Sequence, residues 1–467
     1  GGTTRVVGMN LLNFFNTLDV AGINCRSGVS GAPIDCRGAN TAVEFERQWR
    51  KTVAAVSGTQ ADVVAFMEME NDGYGPESAE SFLVDRLNEK DGPGTWAFID
   101  ADKRTGQVDS LGDDAIKVGM LYKPARVTPV GRTAALNSVA FVNGGDSAPR
   151  NRPSLAQAFR DNATGGVFVG VANHLKSKGS ACAQPDTGDG QANCNAVRVR
   201  AAQLLAQWLA TDPTGTGDPD VLILGDLNSY AKEDPITTLG ANGYTNLIER
   251  FNGAEAYSYA FNGQWGYLDH ALGTASITRQ VTGVRDWHIN ADEPSVLDYN
   301  TEFKTPGQLA SLYAPDEFRI SDHDPVVVGL NLTDDAVGFV TGGGFIQSPA
   351  GALRADPTRT RKASFGIDLN YAAGAVRPSG DLTFNLNGRG TPLRLVATSY
   401  DFLVVRGSSA RVAGTATVNG VAGSRFVLDV TDDGKSDTFH LVVTGADGTA
   451  VYDSAVQRVQ GQVKIHD

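Results

Sequence analysis

Several short stretches of this chain set ionisable or carboxamide side chains at one end of an apolar run. Asn10 follows Val6-Val7-Gly8-Met9, and Glu68 and Glu70 close the run that begins at Val63. Asn173 and His174 end the run over residues 167–172, and Asp226 and Asn228 follow Val221-Leu222-Ile223-Leu224-Gly225. Ser321-Asp322-His323-Asp324 lead into Pro325-Val326-Val327-Val328. Carboxylates and carboxamides are hard oxygen donors that suit Mg²⁺, Mn²⁺ or Ca²⁺. A histidine beside a carboxylate suits general-base activation of water. Each stretch alone reads as an ordinary turn or rim residue, since Asp and Asn after a strand commonly shape a turn. Their conjunction points to chemistry, because residues just beyond buried strand ends collect at one rim of an α/β sheet.

The elements that must position them are legible as periodicity. Residues 5–15, 61–69, 117–122, 166–174, 221–227 and 325–330 are short β-branched or apolar runs bounded by turn residues, and predict strands. Helical spacing appears over residues 41–56, at Phe45, Trp49, Val53 and Val56. It recurs over 195–210, at Val197, Leu204, Leu205 and Trp208. Strands mixed with helices imply a layered α/β domain, with parallel and antiparallel pairings left open. After Leu332 comes a polar break, Thr333-Asp334-Asp335, followed by short alternating strands with frequent Gly, Asn and Asp turns. That texture predicts an all-β sandwich over residues 333–467 beside an α/β domain over 1–332. No internal repeat links the two.

The motifs resemble those of the endonuclease/exonuclease/phosphatase superfamily, the group that includes pancreatic-type deoxyribonucleases. Val-Val-Gly-Met-Asn-Leu-Leu-Asn-Phe-Phe is similar to its opening strand, and Phe-Met-Glu-Met-Glu-Asn to its metal-binding glutamate motif. Asn-His-Leu-Lys-Ser-Lys, Leu-Gly-Asp-Leu-Asn-Ser, Tyr-Leu-Asp-His-Ala-Leu and Ser-Asp-His-Asp-Pro-Val follow in the family's order across the whole first domain. The resemblance implies a two-layered β-sandwich flanked by helices. It implies a divalent metal, Mg²⁺ or Mn²⁺ with Ca²⁺ as an alternative, held by Glu68 with Asn10 and Asp322. Asp226 and Asn228 would orient the attacking water and the phosphate, and His323 would act as general base or transition-state partner, held by a carboxylate. His174 and Asn173 would contact phosphate oxygens, and Asp269 would sit near the leaving group. Lys117 and Lys176, with Lys178, would bind flanking phosphates as point charges. Asp113 or Asp114 is open as a further acidic position. The His-Leu-Lys-Ser-Lys-Gly-Ser segment, with two disulfide loops, is similar to the large extracellular bacterial nucleases that degrade environmental DNA.

Composition bounds this reading. The 467 residues carry 41% hydrophobic and 20% charged side chains, normal for globular protein, and no apolar run is long enough to span a bilayer. A net charge of −13 argues mildly against a general nucleic-acid binder, an argument that a bound cation relieves locally. The four cysteines form two local pairs, Cys25/Cys36 and Cys182/Cys194, in polar loops. They read as two loop-closing disulfides and an oxidising compartment. The rival is a four-cysteine zinc site, whose usual short gaps neither pair has. A secreted, cell-surface or periplasmic monomer is expected, with any leader lying ahead of Gly1. The substrate is expected to be DNA or RNA. A phosphodiesterase or phosphatase acting on lipid, nucleotide or sugar phosphates is the first alternative, and a surface-binding protein whose β-sandwich takes an unknown ligand is the second. His270 reads as a supporting residue, and His288, His440 and His466 as ordinary ones. Residues 429–437 resemble a calcium loop that lacks its terminal glutamate.

Overall fold

In a computed structural model the chain is described over residues 1–22, 25–333, 339–370, 378–386, 388, 390–406 and 408–466. It divides into two compact units, Gly1–Thr333 and Asp334–Asp467. The Asp334-Asp335 part of the polar break lies outside the described residues.

Two six-stranded sheets form the heart of the first unit. One runs Val281–Asp286, Val326–Leu330, Thr4–Phe14, Val63–Glu70, Ile116–Tyr122, Ala97–Phe98, and the other Thr245–Asn246, Asp269–Gly273, Val221–Asp226, Val167–His174, Ser154–Asp161, Val127–Leu136. Thr4–Phe14 pairs parallel with Val63–Glu70, and Val167–His174 parallel with Val221–Asp226; the remaining pairs are antiparallel. Their strands read as continuous apolar runs because both faces are covered. Val6, Ala65, Val118 and Val328 of one sheet meet Phe159, Phe168, Leu222 and Leu224 of the other in a shared core. The opposite face of the first sheet, with Val7, Met9 and Phe66, packs under the helices Ala42–Gly58 and Ala79–Asp91. Val171 and Ile223 of the second sheet pack under Asn195–Leu209 and Asp234–Ala241. The order of layers is therefore helix, sheet, sheet, helix. Phe66 fills its layer only because residue 119 is glycine: a Cβ there would stand 2.2 Å from the Phe66 ring.

The second unit is all-β, as the alternation predicts. The expected two faces come from one continuous antiparallel sheet of ten strands, not from two separate ladders. Its Gln460–His466 strand pairs with Phe339–Ser348, and the Val463 amide donates to the Asp437 carboxylate, which closes the curl over a single core around Phe384, Phe426 and Phe439. In the calcium-like segment, Asp432 pairs with Lys464 and Asp437 accepts from the Asp433 amide.

Both cysteine pairs are bonded, with Cα separations of 5.0 Å for Cys25–Cys36 and 5.4 Å for Cys182–Cys194, and no described cysteine is free. The zinc alternative is thereby displaced. Loops of this length restrict the unfolded chain by about 3 kcal/mol each in the chain-entropy treatment. Non-reducing peptide maps are therefore expected to show those two linked pairs. Reductant should lower the urea midpoint of the first unit, and an unchanged midpoint would show that the bonds carry no stability.

Candidate active site

Register puts the reactive side chains abreast. Asp226 pairs with His174 on one side and with Asp269 on the other, so the three share the face of the second sheet that turns toward the first. Leu224 and Ala172, two residues earlier in their strands, lie in the shared core on that same face. Asn10 occupies the corresponding face of the first sheet, two residues beyond Gly8, where a Cβ would stand 3.6 Å from Leu224. The backbone departs from regularity at this rim. Glu68 (φ 66°) lies in a bulge between Phe66 and Met69, and Leu12 (φ 48°), Asn13 (φ 50°) and Asn228 (φ 48°) are also left-handed. Phe66 and Met69 both face the helix layer, so the extra residue releases Glu68 from strand alternation and turns it toward Asn10. Gly225 (φ 130°) meets a sharper demand, since a Cβ there would lie 2.1 Å from the Asn173 carbonyl oxygen.

His323 enters from the loop before Val326–Leu330 and reaches across to the second sheet. Its Nδ1 lies 2.6 Å from Asp269 Oδ2, which also accepts the Ser258 hydroxyl at 3.1 Å. Its Nε2 lies 4.0 Å from both Asp226 Oδ2 and Asp322 Oδ1, leaving a gap between the three groups. His174 Nε2 stands 3.6 Å from the same Asp226 oxygen, while the Asn228 amide donates to Asp226 Oδ1 at 2.8 Å.

Burial and charge divide the two histidines. Burial opposes a charged His323, but the carboxylates of Asp269 and Asp226 outweigh it and raise its pKa well above the ordinary value. Burial also pushes Asp226 up to about 7, with His323 opposing the rise and Asp269 reinforcing it. His174 has the reverse environment: burial, then the cations Arg152 and His323, hold its pKa well below the ordinary value. At neutral pH the site thus holds an imidazolium beside a neutral imidazole, with a readily protonated carboxyl group between them. Such a set can donate to a phosphoryl oxygen from His323 and exchange a proton at Asp226.

Glu68, Asn10 and Asp322 fit a hard divalent cation. All three offer oxygen: Asn10 Nδ2 donates to Glu68 Oε1 at 2.9 Å, and the Ser321 hydroxyl donates to Asn10 Oδ1 at 3.1 Å and stands 3.5 Å from Asp322 Oδ1. The Asn13 amide steadies the other Glu68 oxygen at 3.0 Å. Among the described residues no three His, Cys, Asp or Glu side chains form a ready-made cage.

Other expected contacts fall elsewhere. Asn173 alternates to the far face of its strand, where its amide is spent on Ser154, Val171 and Leu224, so it braces the sheet and does not reach the rim. Lys117 is only 1% exposed, 3.1 Å from Glu80 and 3.6 Å above the Tyr74 ring, so it is a core ion pair and not a phosphate contact. Lys178 is held by Glu233 at 2.6 Å. Lys176 is nearly buried, donates to the Ser177 and Ser180 hydroxyls, and is lowered to about 8 by burial and the arginines around it. Asp269, expected beside a leaving group, stands behind His323. Asp114 bridges Arg37 and Arg152. His270 is buried against the Ser229 carbonyl. His288 is not ordinary: its Nδ1 lies 2.9 Å from the buried Asp324 and its ring stacks on Tyr257. Asp324, named in its motif but given no role by sequence, gathers the amides of Ile289, Asn290 and Ala291 on its carboxylate. The reading of isolated motifs missed Tyr259, whose ring centroid lies 4.6 Å from that of His323. The signal for Asp324 was its place in the Ser-Asp-His-Asp run; the Asn-Gly turn after Phe261 marked the hairpin that carries Tyr259.

Residues 23–323 match the model of the Endonuclease/Exonuclease/phosphatase family. No curated protein matches the chain by sequence. Among solved structures it is similar to a Bacteroides thetaiotaomicron mannosyl-6-phosphatase, at 14% identity over 70% of this chain and 99% of that one, with a TM-score of 0.42. It is also similar to the human nocturnin catalytic domain (15% identity, 71% and 96% covered, TM-score 0.41) and to sphingomyelinase C from Streptomyces griseocarneus (15%, 70% and 99%, 0.43). The chain belongs to the endonuclease/exonuclease/phosphatase family of phosphoric-ester hydrolases.

Proposed function

We propose that the first unit is a divalent-metal-dependent phosphodiesterase that cuts nucleic acid, DNA first and RNA as a second substrate, with little sequence preference, outside the cell or at its surface. The observation that carries this reading is the row His174–Asp226–Asp269 closed by His323 and flanked by the oxygen donors Glu68, Asn10 and Asp322. A phosphodiester is anionic and resists attack by hydroxide, so hydrolysis needs positive charge at the phosphoryl oxygens and a steered proton. When bound, the cation neutralises a phosphoryl oxygen and polarises water. The chain's own groups do the rest. His323, fixed by Asp269, presents Nε2–H to a phosphoryl oxygen in the gap it shares with Asp226 and Asp322. Asp226 exchanges the proton of the attacking water or leaving oxygen, and neutral His174 donates a second hydrogen bond to the phosphate. The motif set and the two disulfides support the extracellular nuclease reading.

Incubation with supercoiled plasmid, single-stranded DNA, RNA, sphingomyelin and phosphomonoesters, each with Mg²⁺, Mn²⁺, Ca²⁺ or chelator, is expected to show nicking of DNA that chelator abolishes. Undiminished cleavage by metal-stripped protein would sink the metal reading, and turnover confined to a lipid or monoester would sink the nuclease reading. Glu68→Gln should lower the rate by about 10²-fold or more and raise the Mg²⁺ concentration needed for half-maximal rate.

His323→Ala and Asp226→Ala should each cost roughly 10²–10⁴ in rate; both side chains are buried, so the thermal midpoint of each variant is measured beside its rate to show that the fold is retained. Acting on one phosphoryl group, they should be far from additive, the double variant resembling the worse single. Asp269→Asn should approach the His323→Ala loss, because the amide no longer holds the imidazolium. Independent, multiplicative losses would contradict a shared role. His288→Ala should instead lower the thermal midpoint, by the loss of roughly 1–3 kcal/mol when buried Asp324 loses a partner. Calorimetry beside initial rates separates the two effects.

A further inference from the structure

A hairpin stands over the active site and carries aromatic rings that no fold requirement explains. Tyr259–Phe261 pairs with Gln264–Gly266 through a two-residue turn, Asn262 (φ 50°) and Gly263 (φ 76°), the tightest connection available to antiparallel strands. Tyr259 forms a backbone bridge to His323, so the hairpin is anchored to the reactive imidazole itself. The ring centroids of Tyr259 and His323 are 4.6 Å apart. Phe261 continues outward on the same face, its ring 6.3 Å from Tyr259 and within 10° of parallel. Phe261 is 57% exposed, as is Trp265 at 56%. Strand alternation puts these two exposed rings on opposite faces of the hairpin: Trp265 faces with Ala260 and packs edge-on against Tyr257, which in turn stacks on His288.

We infer that the Tyr259–Phe261 face is a stacking shelf for the nucleobase attached next to the scissile phosphate, a claim that rests on the nuclease reading. A flat ring held nearly parallel to a second ring, one step out from the histidine that faces the phosphate, meets the geometric need of a base joined to that phosphate through one sugar. Every base has a π-face, so the shelf secures a nucleotide without reading its identity, which matches an enzyme of low sequence preference. The other class of substrate that exposed aromatics serve, a lipid surface, fits less well. Insertion favours one contiguous apolar patch, whereas Phe261 and Trp265 point to opposite faces and are separated by Asn262, Gly263 and Gln264. Tyr257 is turned to an acidic neighbour, its hydroxyl donating to Asp292.

The test uses the full chain with Mg²⁺ and single-stranded oligonucleotides in which one phosphodiester is cleavable and all other linkages are methylphosphonates. The base on either side of the cleavable bond is kept or replaced by an abasic residue. Wild type should lose about tenfold or more in kcat/KM when one of the two bases is missing, the size expected for one stacked base. Phe261→Ala should show that loss on the intact oligonucleotide and no further loss on the abasic one. Phe261→Trp should restore the intact-substrate rate, Trp265→Ala should have the smaller effect, and thermal midpoints should be unchanged because the Phe261 ring leaves no cavity. Equal losses for Phe261→Ala on intact and abasic substrates, or none on either, would overturn the shelf while leaving nuclease activity standing. So would a Phe261→Ala defect confined to binding sphingomyelin–phosphatidylcholine vesicles. Failure of wild type to cut the intact oligonucleotide would remove the nuclease reading and the shelf with it.

Discussion

The contact between His323 Nδ1 and Asp269 Oδ2, 2.6 Å long and buried, ties the two sheets together at their working rim. His323 belongs to the loop before Val326–Leu330 in the first sheet, and Asp269 begins Asp269–Gly273 in the second. A buried carboxylate or imidazolium standing alone would be strongly unfavourable, whereas a hydrogen-bonded pair of opposite sign is tolerated. The pair forms only if both sheets hold their register, because a one-residue slip would turn Asp269 to the opposite face. The apolar layer of Val6, Ala65, Leu222 and Leu224 sets that register by burying one face of each strand. Core and chemistry are therefore one constraint. The hydrophobic faces fix the sheets, and the fixed sheets bring together charges that would otherwise separate into water.

The distorted backbone at the rim belongs to the same arrangement. Leu12, Asn13, Glu68 and Asn228 are left-handed without being glycine, a conformation that costs on the order of 1–3 kcal/mol each and persists only where surroundings impose it. Here the imposing contacts are polar. The Leu12 amide donates to Asn10 Oδ1, the Asn13 amide to Glu68 Oε2, and the Asn228 amide to Asp226 Oδ1. Three of the four strained residues aim their amides at a site oxygen, and the fourth, Glu68, supplies one of those oxygens. Strain in the main chain is exchanged for a fixed position of the oxygens, so less reorganisation remains when substrate arrives.

The sequence revealed the residues that share a strand with their signal. Asn10, Glu68, His174, Asp226 and Asp322–His323 each end or precede an apolar run, so strand prediction placed them at a rim without knowledge of pairing. The all-β second unit was legible through alternation, though one curling sheet and two stacked sheets have the same alternation. What failed depended on partners distant in sequence or on side-chain parity. Lys117 looks like an available cation until Glu80 arrives from a helix 37 positions away in the chain to neutralise it. Asn173 differs from His174 by one residue, and one residue in a strand is a change of face. His288 carries no motif because its partner Asp324 lies 36 positions on.

The charge distribution makes one further demand on this rim. Glu68, Asp226, Asp269 and Asp322 bring four carboxyl groups to it, in a chain that already carries a net charge of −13. Against them stands His323, with Arg152, Arg37 and Lys176 close enough to help burial keep His174 neutral. A phosphodiester brought into this setting would be repelled unless positive charge entered with it. The half-exposed Glu68 and Asp322 form the open side of the cluster, whereas Asp269 is sealed behind His323 and Asp226 lies buried at the inner edge of the gap. The electrostatic deficit thus falls on the side where oxygen donors remain accessible, and a divalent cation held on that side would correct it. The same division explains why the acidic net charge of the chain and an anionic substrate are compatible: the repulsion is long-ranged and screened by salt, while the cation acts at contact distance.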